Sequence, residues 1–337
     1  MKPVTVSAPG KAVLSGEYAV LRNAAAISVA LDRRATVRLA RSENDFHVVA
    51  TPGYAEGRWR FTANHDGEID WLDKHPDHGL QLLEEAWRVC KPRIRDYLSI
   101  TIDTVDFFAA DAGRKLGLGG SAAAMSALVG AIVEVSPQSE DVVTLAARAH
   151  KALQSGLGSG VDIATSCFGG VIEFRMDSFD APKQCPWPDG LAYRFLWSGR
   201  PADTRSKIRK LDSGSGNEKG WASLSRAAEA TASAWKRNDI TEILDVFDRY
   251  SNTLRQFSID HDLGIFDAGH NNLYDLAASF DVRYKPCGAG GGDIGIVLAS
   301  NENAIERFCV RAEILGFKEL DVLLDPTGIK FSTGDEC

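Results

Sequence analysis

Four short stretches of this chain hold residues whose types and spacing could do chemistry. The first is Leu116 to Gly130, LGLGGSAAAMSALVG. Glycines there would let backbone N–H groups approach an anion closely, and the helix they introduce would present its positive end to it. Ser121 would sit at the helix start, its hydroxyl directed at a phosphate or a metal ion. Alone, Gly117 to Ala122 also fits a tight strand-to-helix connection, or a loose G-x-G-x-x-A dinucleotide turn of the kind that arises often by chance. The G-x-x-x-x-G-K-[ST] pattern is absent, which excludes an ordinary P-loop.

The second stretch, SGLGSGVDIATSCFGG, sets Asp162 among glycines, where an acid reads either as an Asx-turn or helix cap or as a catalytic group. The third, CGAGGGDIGIVL, concentrates glycines before Asp293. So much bare backbone is entropically expensive and implies either a ligand or close chain packing. The fourth, SAPGKAVLSGEYAVL near the N-terminus, contributes Lys11 and Glu17. A lone lysine in a turn reads first as a solvated side chain.

These segments need elements to position them. Val4 to Ser7 reads as a short strand ending at Ala8-Pro9-Gly10, and AAAISVALDRRATVRLA as strand, turn, strand. FHVVATPG, GRWRFTA and LSITIDTV are further strands. Leu80, Leu83, Ala86 and Val89 recur at helical spacing. A helix is expected from about Ser121 to Val135, and another through SEDVVTLAARAHKALQSG, begun by Ser139 and Glu140. GVDIATSCFGGVIEF leads through glycines into a strand. Beyond about residue 180, long helical patterns cover Ala222 to Lys236 and Ile240 to Phe257. GHNNLYDLAASF and ENAIERFCVRAEILG read as helices, and FKELDVLL as a strand. Strands and helices alternate irregularly, so the expected class is α+β rather than a βαβ series. A domain boundary is expected near residues 175–190.

Composition bounds the partners. A chain of 337 residues, 44% hydrophobic and 25% charged, has ample material for a folded core. Its net charge of −8 argues against nucleic acid or an anionic membrane as the main partner. No apolar run is long enough to span a bilayer, and the N-terminus lacks a signal-peptide pattern. A cytoplasmic protein is expected. The six cysteines form no C-x-x-C pair, and the seven histidines no H-E-x-x-H, so neither a zinc site nor a disulfide framework is implied.

The order of the four segments is more specific than any one of them. PGKAVLSGEYAVL, LGLGGSAAA and GAGGGDIGIVL resemble, in sequence order, the three motifs of the GHMP kinase family. Within it, KLGLGGSAA, HKALQSGLGSGVDIATSCFGG and WSGRPADTRSKI are most similar to the phosphomevalonate kinase branch. Two positions depart from the family pattern. Gly120 stands where a serine is common, and Lys151 where, by count along its helix, mevalonate kinases carry a magnesium-binding glutamate.

The resemblance implies a two-domain fold. Residues 1–180 would form a ribosomal-protein-S5-like ATP-binding domain and residues 181–337 a ferredoxin-like α/β sandwich. It implies that Lys115, Gly117, Leu118, Gly119, Gly120, Ser121 and Ala122 bind ATP, with Ser121 on Mg2+. Lys11 and Asp162 become the catalytic pair. Glu17, Tyr18, Ser159, Gly160, Arg200, Gly290 and Gly291 become the expected acceptor contacts. The acceptor is a small molecule, 5-phosphomevalonate first and mevalonate or another alcohol second, and the protein a monomer or homodimer. A phosphate-monoester acceptor needs basic groups to screen two anions. Lys11, Lys115, Arg148, Lys151, Arg200, Arg205 and Lys207 are available in the loops.

Overall fold

A computed structural model describes residues 1–74, 80–110, 113–202, 204–213 and 218–333, excluding the side chains of 204, 205, 208, 212, 213 and 333. The strands are β1 (Val4–Ser15), β2 (Ala26–Arg41), β3 (His47–Thr51), β4 (Ala55–Ala63), β5 (Ile69–Trp71), β6 (Leu98–Asp103), β7 (Val171–Phe174), β8 (Lys183–Cys185), β9 (Ala192–Trp197), β10 (Arg283–Pro286), β11 (Ile294–Ala299), β12 (Lys318–Leu320) and β13 (Lys330–Thr333). The helices are α1 (Gln81–Cys90), α2 (Gly120–Val135), α3 (Val142–Leu153), α4 (Val161–Phe168), α5 (Thr204–Ser213), α6 (Glu218–Arg237), α7 (Ile240–Asp260), α8 (His270–Ala277) and α9 (Glu302–Ile314).

Among the described residues the strands form two sheets. One has nine strands in the order β13-β1-β2-β6-β3-β4-β5, with β7 and β8 branching from β2. The other has four, in the order β10-β11-β9-β12. All pairings are antiparallel except β3 with β6. This is the α+β architecture expected.

Four local readings of the sequence need correction. The strand expected to stop at Ser7 continues through Pro9 and Gly10 to Ser15, and the region expected to turn near Asp32 is one 16-residue strand. A register shift reconciles them: Pro9 pairs with Arg34, then Gly10 with Leu31. The bulge absorbs Asp32 and Arg33 without ending the ladder, as a bulge does when it bends a strand. The stretch around Asp162 is not a loop but the first turn of α4, introduced by Gly160 in the left-handed region at φ 87°. The cap of α3 is Asp141, whose side chain accepts from the Thr144 N–H, rather than Ser139 or Glu140.

α2 lies on the large sheet. Ala122 through Ile132 are all buried, so the helix is apolar all round, as a central helix must be. Its contacts with β1, β2, α1, α3 and α4 make it the hub against which the glycine turn is fixed. Farther on, α6 and α7 bury Trp221, Leu224, Tyr250 and Phe257 against Tyr18, Ala19 and Ala24. The segment following β1 is thereby clamped between the two halves of the chain. No described helix is long and apolar enough to cross a membrane.

Candidate active site

Lys11 lies on β1 just past the bulge and Asp162 in the first turn of α4, where a helix N-terminus favours a carboxylate. Lys11 Nζ meets Asp162 Oδ1 at 2.9 Å. Burial works against the Lys11 ammonium, but the Asp162 carboxylate beside it, with Cys287 and Asp293 adding, holds its pKa above the ordinary lysine value. Lys11 is therefore a fixed cation at neutral pH, not a base.

Two cavities meet at this pair. One, of about 260 Å3, runs along the glycine turn and is lined by Lys115, Gly117 to Ser121, Tyr54, Phe107 and Asp293. The other, of about 130 Å3, lies on the far side, lined by Tyr18, His150, Gln154, Ser159, Gly160 and Ala289. Lys11 and Asp162 line both.

The glycine turn is built by close packing as much as by openness. The Lys11 N–H donates to Leu118 O at 2.8 Å, tying the turn to β1. Gly119 caps α2 at φ 78°, and a side chain there would strike the methylenes of Lys11. A Cβ at Gly120 would lie 2.8 Å from the Phe107 ring, so the aromatic side chain occupies the space that a serine would take. Ser121 Oγ lies 3.3 Å from His150 Nε2. Burial raises the pKa of the nearby Tyr54 phenol, while a hydrogen bond with Ser121 works the other way. Lys115 Nζ sits 4.8 Å from the centre of the Tyr54 ring. Ala122 is buried in the first turn of α2 and lines neither cavity.

The expected acceptor contacts divide. Tyr18, in the left-handed region at φ 61°, donates its hydroxyl to Ala289 O at 2.8 Å across the smaller cavity. Ser159 Oγ accepts from the Val161 N–H at 3.3 Å, just before α4 begins. Glu17 lines the same cavity but is held on both carboxylate oxygens, by the fully buried Lys285 ammonium and by the Tyr250 hydroxyl at 2.8 Å. Gly290 and Gly291 are not in either lining. A Cβ at Gly290 would lie 2.4 Å from Ile265 O, and one at Gly291 2.2 Å from Lys207 Nζ. Their bareness serves chain packing, and it is Gly288 and Ala289 that face the cavity. Arg200 lines a different cavity altogether.

The other basic groups do not converge on the pair. Arg148 is bound to Glu140 at 3.0 Å, and Lys151 is exposed. Lys207 Nζ donates to Gly290 O at 2.8 Å, and the Arg205 side chain lies outside the described residues. At the end of α3 it is His150, not Lys151, that faces Ser121.

Several lining residues escaped the sequence reading. His150 and Gln154 lie in the HKALQSG segment already singled out, four apart on one helix face, a spacing that could have found them. Tyr54, Thr104 and Phe107 come from connections with no recognisable pattern. Asp293 adopts the left-handed region at φ 54°, and its backbone and side chain bind Ser198, Arg200 and Ala202.

Known proteins resemble this chain in sequence and in fold. The sequence profile described as "GHMP kinases N terminal domain" matches residues 82–170, which include the glycine turn and Asp162. A solved structure of Streptococcus pneumoniae phosphomevalonate kinase, in complex with phosphomevalonate and AMPPNP, superposes with a TM-score of 0.76. It covers 95% of this chain and 99% of that one at 18% identity. The chain has the GHMP kinase fold. Among sequence relatives of this chain, a phosphomevalonate kinase of a Streptomyces species is 29% identical, over 88% of this chain and 89% of that protein. A mevalonate kinase of Thermococcus sibiricus is 26% identical over 61% and 62%.

Proposed function

We propose that this protein is an ATP-dependent small-molecule kinase of the mevalonate pathway that converts 5-phosphomevalonate to 5-diphosphomevalonate. The observation that carries the reading is the Lys11–Asp162 ion pair, placed where the two cavities meet. One cavity would take the nucleotide triphosphate along the Gly117–Ser121 turn and the other the acceptor. Residues 1–180 would then supply the nucleotide side, and residues 181–337 would close the acceptor side through Ala289. The likeness to the Streptomyces phosphomevalonate kinase over most of both chains supports the choice of acceptor.

In this reading an acceptor oxygen forms a bond to the γ-phosphorus as the bond to ADP breaks. Phosphoryl transfer asks mainly for alignment and charge stabilisation. Lys11, protonated and immobile, stands beside the transferring group. A phosphate-monoester acceptor has a second pKa of about 6 and needs no base at neutral pH. Asp162 then orients Lys11, and acts as base only toward a hydroxyl. Among the described residues no three His, Cys, Asp or Glu gather as a metal site. Ser121 Oγ and Asp162 nonetheless offer the oxygen donors that suit magnesium, which keeps waters and binds substrate phosphates. Bound there with the nucleotide, it would neutralise phosphate charge.

A second reading, mevalonate kinase, draws support from one feature. Lys11 is the sole lysine or arginine among the described residues lining the smaller cavity, which suits a hydroxyl acceptor. ADP release measured with 5-phosphomevalonate, mevalonate and a sugar panel separates the readings. Turnover with 5-phosphomevalonate at least tenfold above the others is expected, and turnover with none of them would overturn both. Lys11→Met should abolish turnover in a folded protein. Asp162→Asn should lose more than tenfold, about 1.4 kcal/mol of barrier.

A further inference from the structure

A third cavity, of about 380 Å3, lies outside the candidate active site. Arg114, Arg200 and Lys318 line it together with the Trp197 ring, and no acidic residue does among the described residues. Three cations converging on one groove stand out in a chain of net charge −8. The Arg114 guanidinium stacks 5.2 Å from the Trp197 ring centre and donates to Gly199 O at 2.7 Å. Trp197 is 2% exposed, and its indole N–H is buried with no hydrogen-bond partner among the described residues. A buried donor left unpaired is destabilising and calls for an acceptor.

We propose that this groove is a second anion site, for a small molecule bearing a phosphate or diphosphate, and that its occupancy is transmitted to the glycine turn. Guanidinium groups bind phosphate oxygens in pairs, and an ammonium adds a point charge. A phosphate presents three oxygens and close to two charges at neutral pH, which two forks and an ammonium can share. A carboxylate presents two oxygens. Its walls are continuous with the candidate active site. Arg114 adjoins Lys115, which lines the nucleotide-side cavity. On the other wall, the Asp293 N–H donates to Arg200 O at 2.7 Å and Asp293 O accepts from the Ser198 N–H at 2.9 Å. Asp293 itself packs against Gly117. An anion that draws in the 198–200 loop therefore acts on the residue that braces the turn.

Titration calorimetry of the full chain with inorganic pyrophosphate, without nucleotide, tests the site. Lys11→Met separates it from the candidate active site, and binding should survive that change. The Arg114→Gln/Arg200→Gln double variant should bind at least tenfold more weakly while keeping its thermal midpoint. Arg200 is exposed, so Arg200→Gln alone serves as a variant that folds, with a loss of about threefold or more expected. Succinate should bind at least tenfold more weakly than pyrophosphate. The proposal is overturned if the wild-type chain takes up no pyrophosphate, if only Lys11→Met abolishes binding, or if the arginine variants bind as the wild type does. Equal binding of succinate would overturn the assignment to phosphate.

Discussion

Asp293 fills the space that a side chain at Gly117 would need: a Cβ there would lie 2.3 Å from the Asp293 Cβ. The third glycine segment thus braces the second, and the two motifs are one packed unit although Gly117 and Asp293 lie 176 positions apart. Burial holds the Asp293 pKa above the ordinary carboxylate range, so the contact sets a poorly solvated acid beside the cavity.

Gly117→Ala should therefore disturb turnover as well as stability. Its φ of 81° is already strained for alanine, and the clash adds to that. Gly156 isolates the first effect, since its φ is 84° but nothing lies within 4 Å of an added Cβ. Gly156→Ala should cost about 1 kcal/mol in urea unfolding with near-normal kcat. Gly117→Ala should cost more and lose kcat at least tenfold. Equal effects of the two would mean that Asp293 does not shape the turn.

The Gly120 and Phe107 pair makes a second test. Gly120→Ser should clash with the Phe107 ring and weaken nucleotide binding by tenfold or more. Phe107→Ala in the same chain should restore part of that affinity, because it vacates the space. A double-mutant cycle on nucleotide Kd reads the coupling. Additive losses would show that the two positions act independently.

Glu17 and Lys285 are buried, at 5% and 0% exposure, and bind each other. Removing one partner strands the other charge, which typically costs about 3–5 kcal/mol. Glu17→Gln and Lys285→Met should each destabilise by that order in urea unfolding. The double variant should cost clearly less than their sum. If Glu17 instead serves chiefly as an acceptor contact, Glu17→Gln will raise KM with little change in stability.

His270 carries a pH dependence. Its ring nitrogens bind the Tyr284 hydroxyl and Gly292 O, and burial lowers its pKa to about 4 from 6.5, with Lys207 and Lys285 pushing the same way. Between those pH values the unfolded chain takes up a proton that the folded chain refuses, so stability falls on acidification from 6.5 to 4. The contribution is about 3 kcal/mol at most. His47, lowered to about 4 by burial, adds a similar slope, so the comparison must be with His270→Asn. The stability advantage of wild type over that variant should shrink as the pH falls through this window. An advantage constant from pH 7 to 4 would contradict the argument.

The parts legible in the sequence were those where composition and geometry coincide. The glycine turn and the long amphipathic helices follow from local rules, whereas Lys11 and Asp162 became candidates only through the order of the segments and the resemblance it carries. What stayed hidden depends on distant chain. Pro9 and Gly10 looked like a strand end because a bulge is settled by the partner strand, not by the residues themselves. α4 was obscured because glycines flank its eight residues at both ends. Gly290 and Gly291 looked like ligand contacts, whereas Ile265 and Lys207 explain their bareness. Arg200 sits in the same loop as the backbone that holds Asp293, yet its side chain lines another cavity. Nothing in the order of residues says which way it leaves the loop.

The last described strand, β13, completes the edge of β1, pairing Val4 with Thr333 through Ser7 with Lys330. Just before it, Arg34 reaches Asp325, Thr327 O and Gly328 O. During synthesis, the strand that bears Lys11 therefore emerges from the ribosome long before its outer neighbour exists. Until then it presents an open edge able to pair with other chains. A nascent chain halted after the first 180 residues would carry both members of the ion pair and still be prone to self-association.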